Sequence, residues 1–316
     1  MTNSKYLILG ATGSIGYAFA RTLVDQKIPF TTLVRDRKKM TTLLGEPAIM
    51  EIAEGDAMNT ALLKSLAEGK EFIFHGVNYP YDKWEENMPR VTANLIKAAA
   101  QNQATIIFPG NIYEFGNARD ITEETVPHPT TKKGRIRLKI FEMLKNAAEE
   151  KKCKVIFLRL PDFFGPNVVN GLTERIFGHA VKKKAINWLI RSDIPHQFVY
   201  TPDAAALMLN ICQKKDRPEF ILYNYCSYTV PSFGHFAEII AGQAGSPAKV
   251  QNLPKFIINI MGWFVPVMRE LKENFYLFEN NVNLIDDKIR ADFPEFRHTP
   301  LEEAVNETLE WFGKDD

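Results

Sequence analysis

Tyr6-Leu7-Ile8-Leu9-Gly10-Ala11-Thr12-Gly13-Ser14-Ile15-Gly16 carries an apolar run, a three-glycine turn and the beginning of an amphipathic stretch, Tyr17 to Val24. A short apolar run bounded by glycine reads as a buried strand, and the stretch beyond Gly16 as a helix. A strand that turns through glycines into a helix is how a chain cradles the pyrophosphate of a dinucleotide. Gly10 permits the tight turn, Gly13 lets the backbone approach phosphate oxygens, and Gly16 lets the helix lie close against the strand. Thr12, Ser14 and Ile15 then surround a helix N-terminus whose amides have no partner within the helix and face an anion. A nicotinamide cofactor is the ligand this segment leads us to expect.

Outward from that turn, apolar β-rich runs alternate with segments of helical period. Strands are expected near residues 5–10, 29–35, 48–52, 71–75, 105–109 and 154–159, with helices around 14–25, 60–67, 88–102 and 136–150. This is the alternation of a parallel, doubly wound α/β sheet. Beyond Pro166 it loosens: residues 167–192 read as an insertion, 203–212 as a helix returning to the sheet, and 220–225 as one more strand. The expected division is a dinucleotide-binding domain over 1–166 with 196–230, and a smaller C-terminal substrate domain over 167–195 with 231–316. The apolar run from Phe256 to Met268 is too short to span a bilayer and reads as a core or interface helix broken at Pro266.

Composition narrows the partners. The chain has 316 residues, 45% hydrophobic and 24% charged, with a net charge of +1. That balance describes a soluble globular protein with no global field to attract nucleic acid or an anionic membrane, so small molecules are the expected partners. Cys153, Cys212 and Cys226 show no metal-binding or disulfide spacing, and no His pair has ligand spacing. Residues 1–5 run directly into the first strand and leave no room for a signal peptide, so the cytoplasm is the expected compartment. Nothing marks an interface, although a homodimer is compatible with such a fold.

The glycine turn together with Leu158-Arg159-Leu160-Pro161-Asp162-Phe163-Phe164-Gly165-Pro166-Asn167 and Phe198-Val199-Tyr200-Thr201-Pro202-Asp203-Ala204-Ala205 resembles the extended or atypical short-chain dehydrogenase/reductases, a family that includes NAD-dependent epimerases and dehydratases. The resemblance is specific through about residue 215. It implies a Rossmann-type sheet with a C-terminal substrate domain. It also implies an active-site Tyr and a Lys four residues later on a long helix, with a Ser or Thr after the preceding strand. This chain departs at all three. The Ser position falls on Asn111, which can still hydrogen-bond a substrate oxygen. Aligning Gly134 puts Lys133 at the Tyr position and Arg137 at the Lys position, whereas a shift of one residue gives Gly134 and Leu138. The sole Tyr-x-x-x-Lys, Tyr79 to Lys83, lies on the wrong element, and Pro80 disfavours a helix there.

The replacements have chemical consequences. Arg137 keeps its charge near neutral pH, so it contributes hydrogen bonds and field, for instance at the nicotinamide ribose. Lys133 is the candidate general acid or base; the alternative is that Lys132, Lys133, Arg135 and Arg137 form a solvated helix start or bind an anionic substrate group. At the end of the second strand Arg35 stands where an acid grips the ribose of NAD, and a guanidinium there favours the 2′-phosphate of NADP; Asp36 leaves NAD as the alternative. Asp56 either contacts adenine or caps a helix. His75 and Gly76 end the fourth strand near the expected dinucleotide. His128 and His196 either face substrate or serve structural roles, and Arg159 either binds substrate or pairs with a carboxylate. Together these features suggest an oxidoreductase or an epimerase/dehydratase-like enzyme acting on a small oxygenated metabolite. A non-catalytic protein that senses NADP(H) is the rival, favoured by the missing Tyr–Lys pair.

Overall fold

Strands of four to six residues, most of them followed by a helix, assemble one central sheet. The computed structural model describes residues 4–247, 249–257, 260 and 272–315. In chain order it contains β1 (Tyr6–Leu9), α1 (Ser14–Asp25), β2 (Phe30–Val34), α2 (Arg37–Leu44), β3 (Met50–Glu54), α3 (Thr60–Leu66), β4 (Phe72–His75), α4 (Trp84–Asn102), β5 (Thr105–Gly110), β6 (Asp120–Ile121), α5 (Lys132–Glu149), β7 (Lys154–Arg159), β8 (Asp162–Phe164), α6 (His179–Val181), β9 (Ile186–Leu189), β10 (His196–Tyr200), α7 (Thr201–Gln213), β11 (Phe220–Asn224), β12 (Tyr228–Val230), α8 (Phe233–Ala244), β13 (Val250–Leu253) and β14 (Asn283–Leu284). The seven-stranded sheet has the order β11-β7-β5-β4-β1-β2-β3, and its pairs from β7 through β3 are parallel. The order reverses direction at β1, with later strands on one side and β2 and β3 on the other. Loops at the carboxyl ends beside such a reversal are where open α/β sheets bind ligands.

Two compact units divide the chain. The first runs through Asn111 and adds Ile136–Arg159 and Ala204–Tyr223; the second comprises Ile112–Arg135, Leu160–Asp203 and the chain from Asn224 onward. The first unit holds the large sheet, whose inner strands β1, β4 and β7 are buried on both faces and accordingly read as near-continuous apolar runs, whereas the edge strand β3 is partly exposed. Phe19 of α1 stacks on Phe74 of β4 with ring centroids 4.6 Å apart, fixing that helix over the sheet. The second unit holds the three-stranded sheet β12-β10-β8 and the pairs β13-β9 and β14-β6. Its core gathers Phe164, Trp188, Phe198, Phe233 and Phe236, with Trp188 stacked on Phe233 at 3.7 Å.

Element boundaries differ from expectation where side chains decide them. β3 starts at Met50 rather than residue 48, because the Met50 amide donates to the Pro47 carbonyl and makes 47–50 a turn. α4 begins at Trp84 and continues through Pro89, which removes one helical donor without ending the helix. α5 begins at Lys132, four residues before the expected start, because the Thr131 hydroxyl accepts the Gly134 amide at 3.0 Å and caps the helix. α2 went unassigned in the sequence, although the Asp36 carboxylate caps it by accepting the Lys39 amide at 2.9 Å. Most of the apolar run 256–268 lies outside the described residues. Among those described, no helix is long and apolar enough to cross a membrane.

Candidate functional site

The glycine turn adopts the conformation its sequence demands. Gly10 sits at φ +79°, and a Cβ there would lie 2.3 Å from the Gly76 carbonyl oxygen, so the turn after β1 presses against the end of β4. Gly76 serves the same approach, its amide donating to the Leu9 carbonyl at 2.9 Å. A Cβ on Gly16 would lie 2.2 Å from the Gly10 oxygen, which fixes how closely α1 starts to the strand. Gly13 is different. It is exposed and serves as the N-cap of α1 with extended backbone, and the only neighbour a Cβ would meet is the Gly10 oxygen at an ordinary 3.4 Å. The protein itself does not need glycine at 13, and the space beside it is open to a ligand. The first helical bond within α1 runs from Tyr17 N–H to Gly13 at 2.7 Å, and no acid occupies the first turn. The amides of Ser14, Ile15 and Gly16 thus precede the helical ladder with no acid in that first turn to repel an anion. Thr12 borders the same turn.

Arg35 follows β2 directly, is exposed, and makes no hydrogen bond or ion pair among the described residues. Asp36 has one carboxylate oxygen committed to the α2 cap, and Arg37 is held by the Ile52 carbonyl and Glu46. Asp56 is not the cap of α3. Its Oδ1 accepts the Met58 amide at 2.8 Å in a local turn, while Asn59 does the capping. Tyr79, half-buried after β4, feels Asp56, Arg35 and Arg90; burial first and then Asp56 push its phenol upward, and the two guanidinium groups pull it back. Arg90 lies one turn before Asn94, whose Nδ2 donates to the Met58 carbonyl. Charge spacing in the sequence gave no hint of Arg90, because only the α4 register brings it to this group. Tyr79–Lys83 forms no helical pair: a single 3-10 turn, Tyr81–Lys83, leads into α4, and Trp84 Nε1 donates to the Tyr79 carbonyl.

His75 departs from its expected place beside a ligand. The imidazole is 1% exposed and packs edge-on against Phe108. The Thr92 hydroxyl donates to Met88, so His75 Nε2–H must donate to Thr92 Oγ1 at 3.1 Å, leaving a bare, buried Nδ1. Burial, helped by the Arg137 charge, pushes the imidazole down to about 3, so it is a neutral core group at any ordinary pH. Arg137 stacks its guanidinium 4.3 Å above the Trp84 ring.

The α5 start separates its four cations. Lys132 and Arg135 are exposed, as a solvated helix start requires, whereas Lys133 is 2% exposed, with its backbone N–H donating to Glu273 Oε2 at 3.1 Å. A Cβ on Gly134 would lie 2.5 Å from the Tyr113 carbonyl oxygen, which explains the glycine and locks the helix against the segment preceding Glu114. Asn111 directly follows β5 and is half-buried. Arg159 is buried with its guanidinium 4.9 Å over Phe141, His128 is exposed, and His196 Nε2 donates to Asp162 Oδ2 at 2.9 Å.

The family model described as the NAD dependent epimerase/dehydratase family matches residues 6–226. No curated protein matches the chain. Solved structures of similar fold include a dTDP-glucose 4,6-dehydratase from Bacillus anthracis in complex with NAD, 13% identical, covering 99% of this chain and 97% of that one with a TM-score of 0.80. A UDP-glucose 4-epimerase from Thermotoga maritima with UDP-glucose is 15% identical, covering 98% and 99% at 0.77. A UDP-glucuronic acid 4-epimerase from Bacillus cereus with UDP-glucuronic acid and NAD is 13% identical, covering 98% and 99% at 0.78. At these identities the likeness is one of fold.

Proposed function

The chain belongs to the NAD-dependent epimerase/dehydratase family, and on that premise we propose that it is an NADP-dependent oxidoreductase or epimerase/dehydratase-like enzyme acting on a small oxygenated metabolite. The observation that carries this reading is the open space beside Gly13, in a turn where Gly10, Gly16 and Gly76 are each required by the protein's own backbone. A glycine that the fold does not need, at an uncompensated helix N-terminus, fits a pyrophosphate. Arg35, unpaired while Asp36 caps a helix, supports a 2′-phosphate and so NADP over NAD. When bound, the cofactor supplies hydride transfer.

In this reading the first unit is the dinucleotide-binding domain, held to cofactor by Gly10, Thr12, Gly13, Ser14, Ile15, Gly16, Arg35 and Asp56. The second is the substrate domain. His75 shapes the interior beneath the site rather than touching ligand, and Arg137, stacked on Trp84, contributes field. Asn111 offers an amide donor to a substrate oxygen, and Lys133 is the proton-transfer group, its burial separating it from the solvated cations beside it. The three cysteines are buried free thiols, which suits a reducing compartment such as the cytoplasm.

A fluorescence titration with NADPH and NADH tests the reading without a substrate. Tight, NADPH-preferring binding supports it, and no binding of either dinucleotide overturns it. A second reading, a non-catalytic NADP(H) sensor, draws on Lys133 and Arg137 standing in place of the Tyr–Lys pair. A carbonyl-substrate screen that consumes no NADPH, together with a partner affinity that changes with cofactor redox state, would select the sensor.

A further inference from the structure

Helix α5 begins with the wrong charge for its own dipole. Lys132, Lys133 and Arg135 all fall in its first turn, and no acid stands there. Cations at a helix N-terminus meet the partial positive charge of amides that have no partner within the helix, which loosens that end. Loosening has a consequence here, because the phase of the first turn separates exposed Lys132 and Arg135 from Lys133, which is 2% exposed. Fraying by one turn would hand the Lys133 amine to water.

The compensating charge arrives from 140 residues further along the chain, where Glu273 Oε2 accepts the Lys133 amide at 3.1 Å. A carboxylate at that point satisfies a first-turn amide and brings negative charge to the positive end of the helix. Thr131 Oγ1 accepts the Gly134 amide at 3.0 Å, and Gly134 seats closely against the Tyr113 carbonyl, but neither of these partners carries charge.

Glu273 opens a segment that is fixed along its length. Phe275, Tyr276, Leu277 and Phe278 are buried in the core of the second unit, and Phe278 meets Trp188 edge-on at 5.3 Å. Beyond them β14 pairs in parallel with β6: the Asn283 amide donates to the Arg119 carbonyl at 2.5 Å and the Ile285 amide to the Ile121 carbonyl at 2.8 Å. Gln197 Oε1 accepts the Leu284 amide at 2.6 Å, and Asn224 Nδ2 donates to the Ile121 and Ile285 carbonyls, each at 3.0 Å. β6 lies in the same stretch, Ile112–Arg135, that ends in the first turn of α5. The segment therefore grips that stretch twice, by a main-chain pair at β6 and by a carboxylate at Lys133.

We propose that Glu273 is the positioning residue for Lys133: carried in on a braced segment, it holds the first turn of α5 closed and so keeps the Lys133 amine out of water. The proposal rests on the enzymatic reading above for what Lys133 does, and adds the group that controls its state.

Trace acetylation of the full chain with sulfo-N-hydroxysuccinimide acetate, read by mass spectrometry, tests it without substrate or cofactor. Exposed Lys132 is the internal reference, and Lys70, half-buried in the first unit and hydrogen-bonded to Ser4 and Thr31, reports general opening. Glu273→Ala should raise labelling of Lys133 relative to Lys132 about tenfold or more, the worth of a hydrogen bond to a charged group. Glu273→Gln, which keeps an oxygen acceptor without the charge, should raise it only about threefold. Circular dichroism checks that both variants fold. Lys133 as protected in folded Glu273→Ala as in the wild type, or a rise matched at Lys70, would overturn the proposal. On a carbonyl compound that the wild type reduces with NADPH, Glu273→Ala should lower kcat about tenfold with KM within about twofold, and Glu273→Gln should recover most of the loss; an effect confined to KM would count against a positioning role. Released Lys133 in Glu273→Ala beside unchanged turnover in Lys133→Met would leave the brace standing and sink the chemistry assigned to the amine.

Discussion

Two glycines three residues apart should respond in opposite ways to one added methyl group. Gly13→Ala places a Cβ at 3.4 Å from the Gly10 oxygen, an ordinary contact, at a backbone φ of −97° that any residue adopts. Loss of glycine's freedom in the unfolded chain favours the variant by about 0.4–1 kcal/mol, alanine's poorer N-capping costs a similar amount, and its stability should stay within about 1 kcal/mol of the wild type. Gly16→Ala places the Cβ 2.2 Å from the same oxygen, over 1 Å inside contact with backbone that cannot move without reopening the turn. The helix-propensity gain of about 1 kcal/mol is outweighed by strain of about 1–3 kcal/mol or more. Function reverses the ranking. If pyrophosphate lies against Gly13, the methyl group displaces it from the helix amides, and NADPH affinity should fall tenfold or more, about 1.4 kcal/mol or above. Thermal melts and fluorescence titrations on the two variants read both quantities. Wild-type NADPH affinity in a normally folded Gly13→Ala protein would refute the pyrophosphate cradle.

Other outcomes follow from single side chains. Arg35→Ala should weaken NADPH by about tenfold to a hundredfold, the range of a charge-assisted contact, while leaving NADH within about twofold; equal losses for the two would mean that Arg35 does not meet the 2′-phosphate. His75 is neutral in the fold, with its imidazole near 3 against 6.5 when unfolded. The unfolded chain therefore binds a proton first as pH falls, and stability present above about 6.5 is lost toward 3. By pH 5 the loss is about 2 kcal/mol, and urea melts of His75→Gln should show a shallower decline than wild type over that window. Lys133→Met keeps the length of a buried stem and removes the ammonium. It should abolish turnover of any carbonyl compound for which the wild type consumes NADPH, and unchanged turnover in the folded variant would remove Lys133 from the mechanism.

The parts of this molecule that could be read from the chain are those decided locally. A positive φ at Gly10 and the close start of α1 at Gly16 are local backbone requirements that only glycine meets, and the apolar runs of β1, β4, β5 and β7 announce strands buried on both faces. What could not be read is which polar side chain faces inward. His75 looks like a ligand-facing residue at a strand's end, yet alternation in β4 and the position of Thr92 on α4 turn it into the core. Four cations in six residues look like one solvated patch, yet the Thr131 cap sets the phase of α5 so that Lys132 and Arg135 reach water while Lys133 is buried and Arg137 stacks on Trp84. The same phase determines what can replace the missing Tyr–Lys pair. Lys133 and Arg137 are one turn apart, the spacing at which two side chains share a helix face, but the structure treats them differently: Arg137 stacks on an aromatic ring, while Lys133 is 2% exposed and its backbone N–H donates to Glu273. The fixed charge is thus held on an aromatic platform, while the amine that can exchange a proton is taken out of water. In the enzymatic reading proposed above, that difference is why the proton-transfer role is given to position 133 and the electrostatic one to 137.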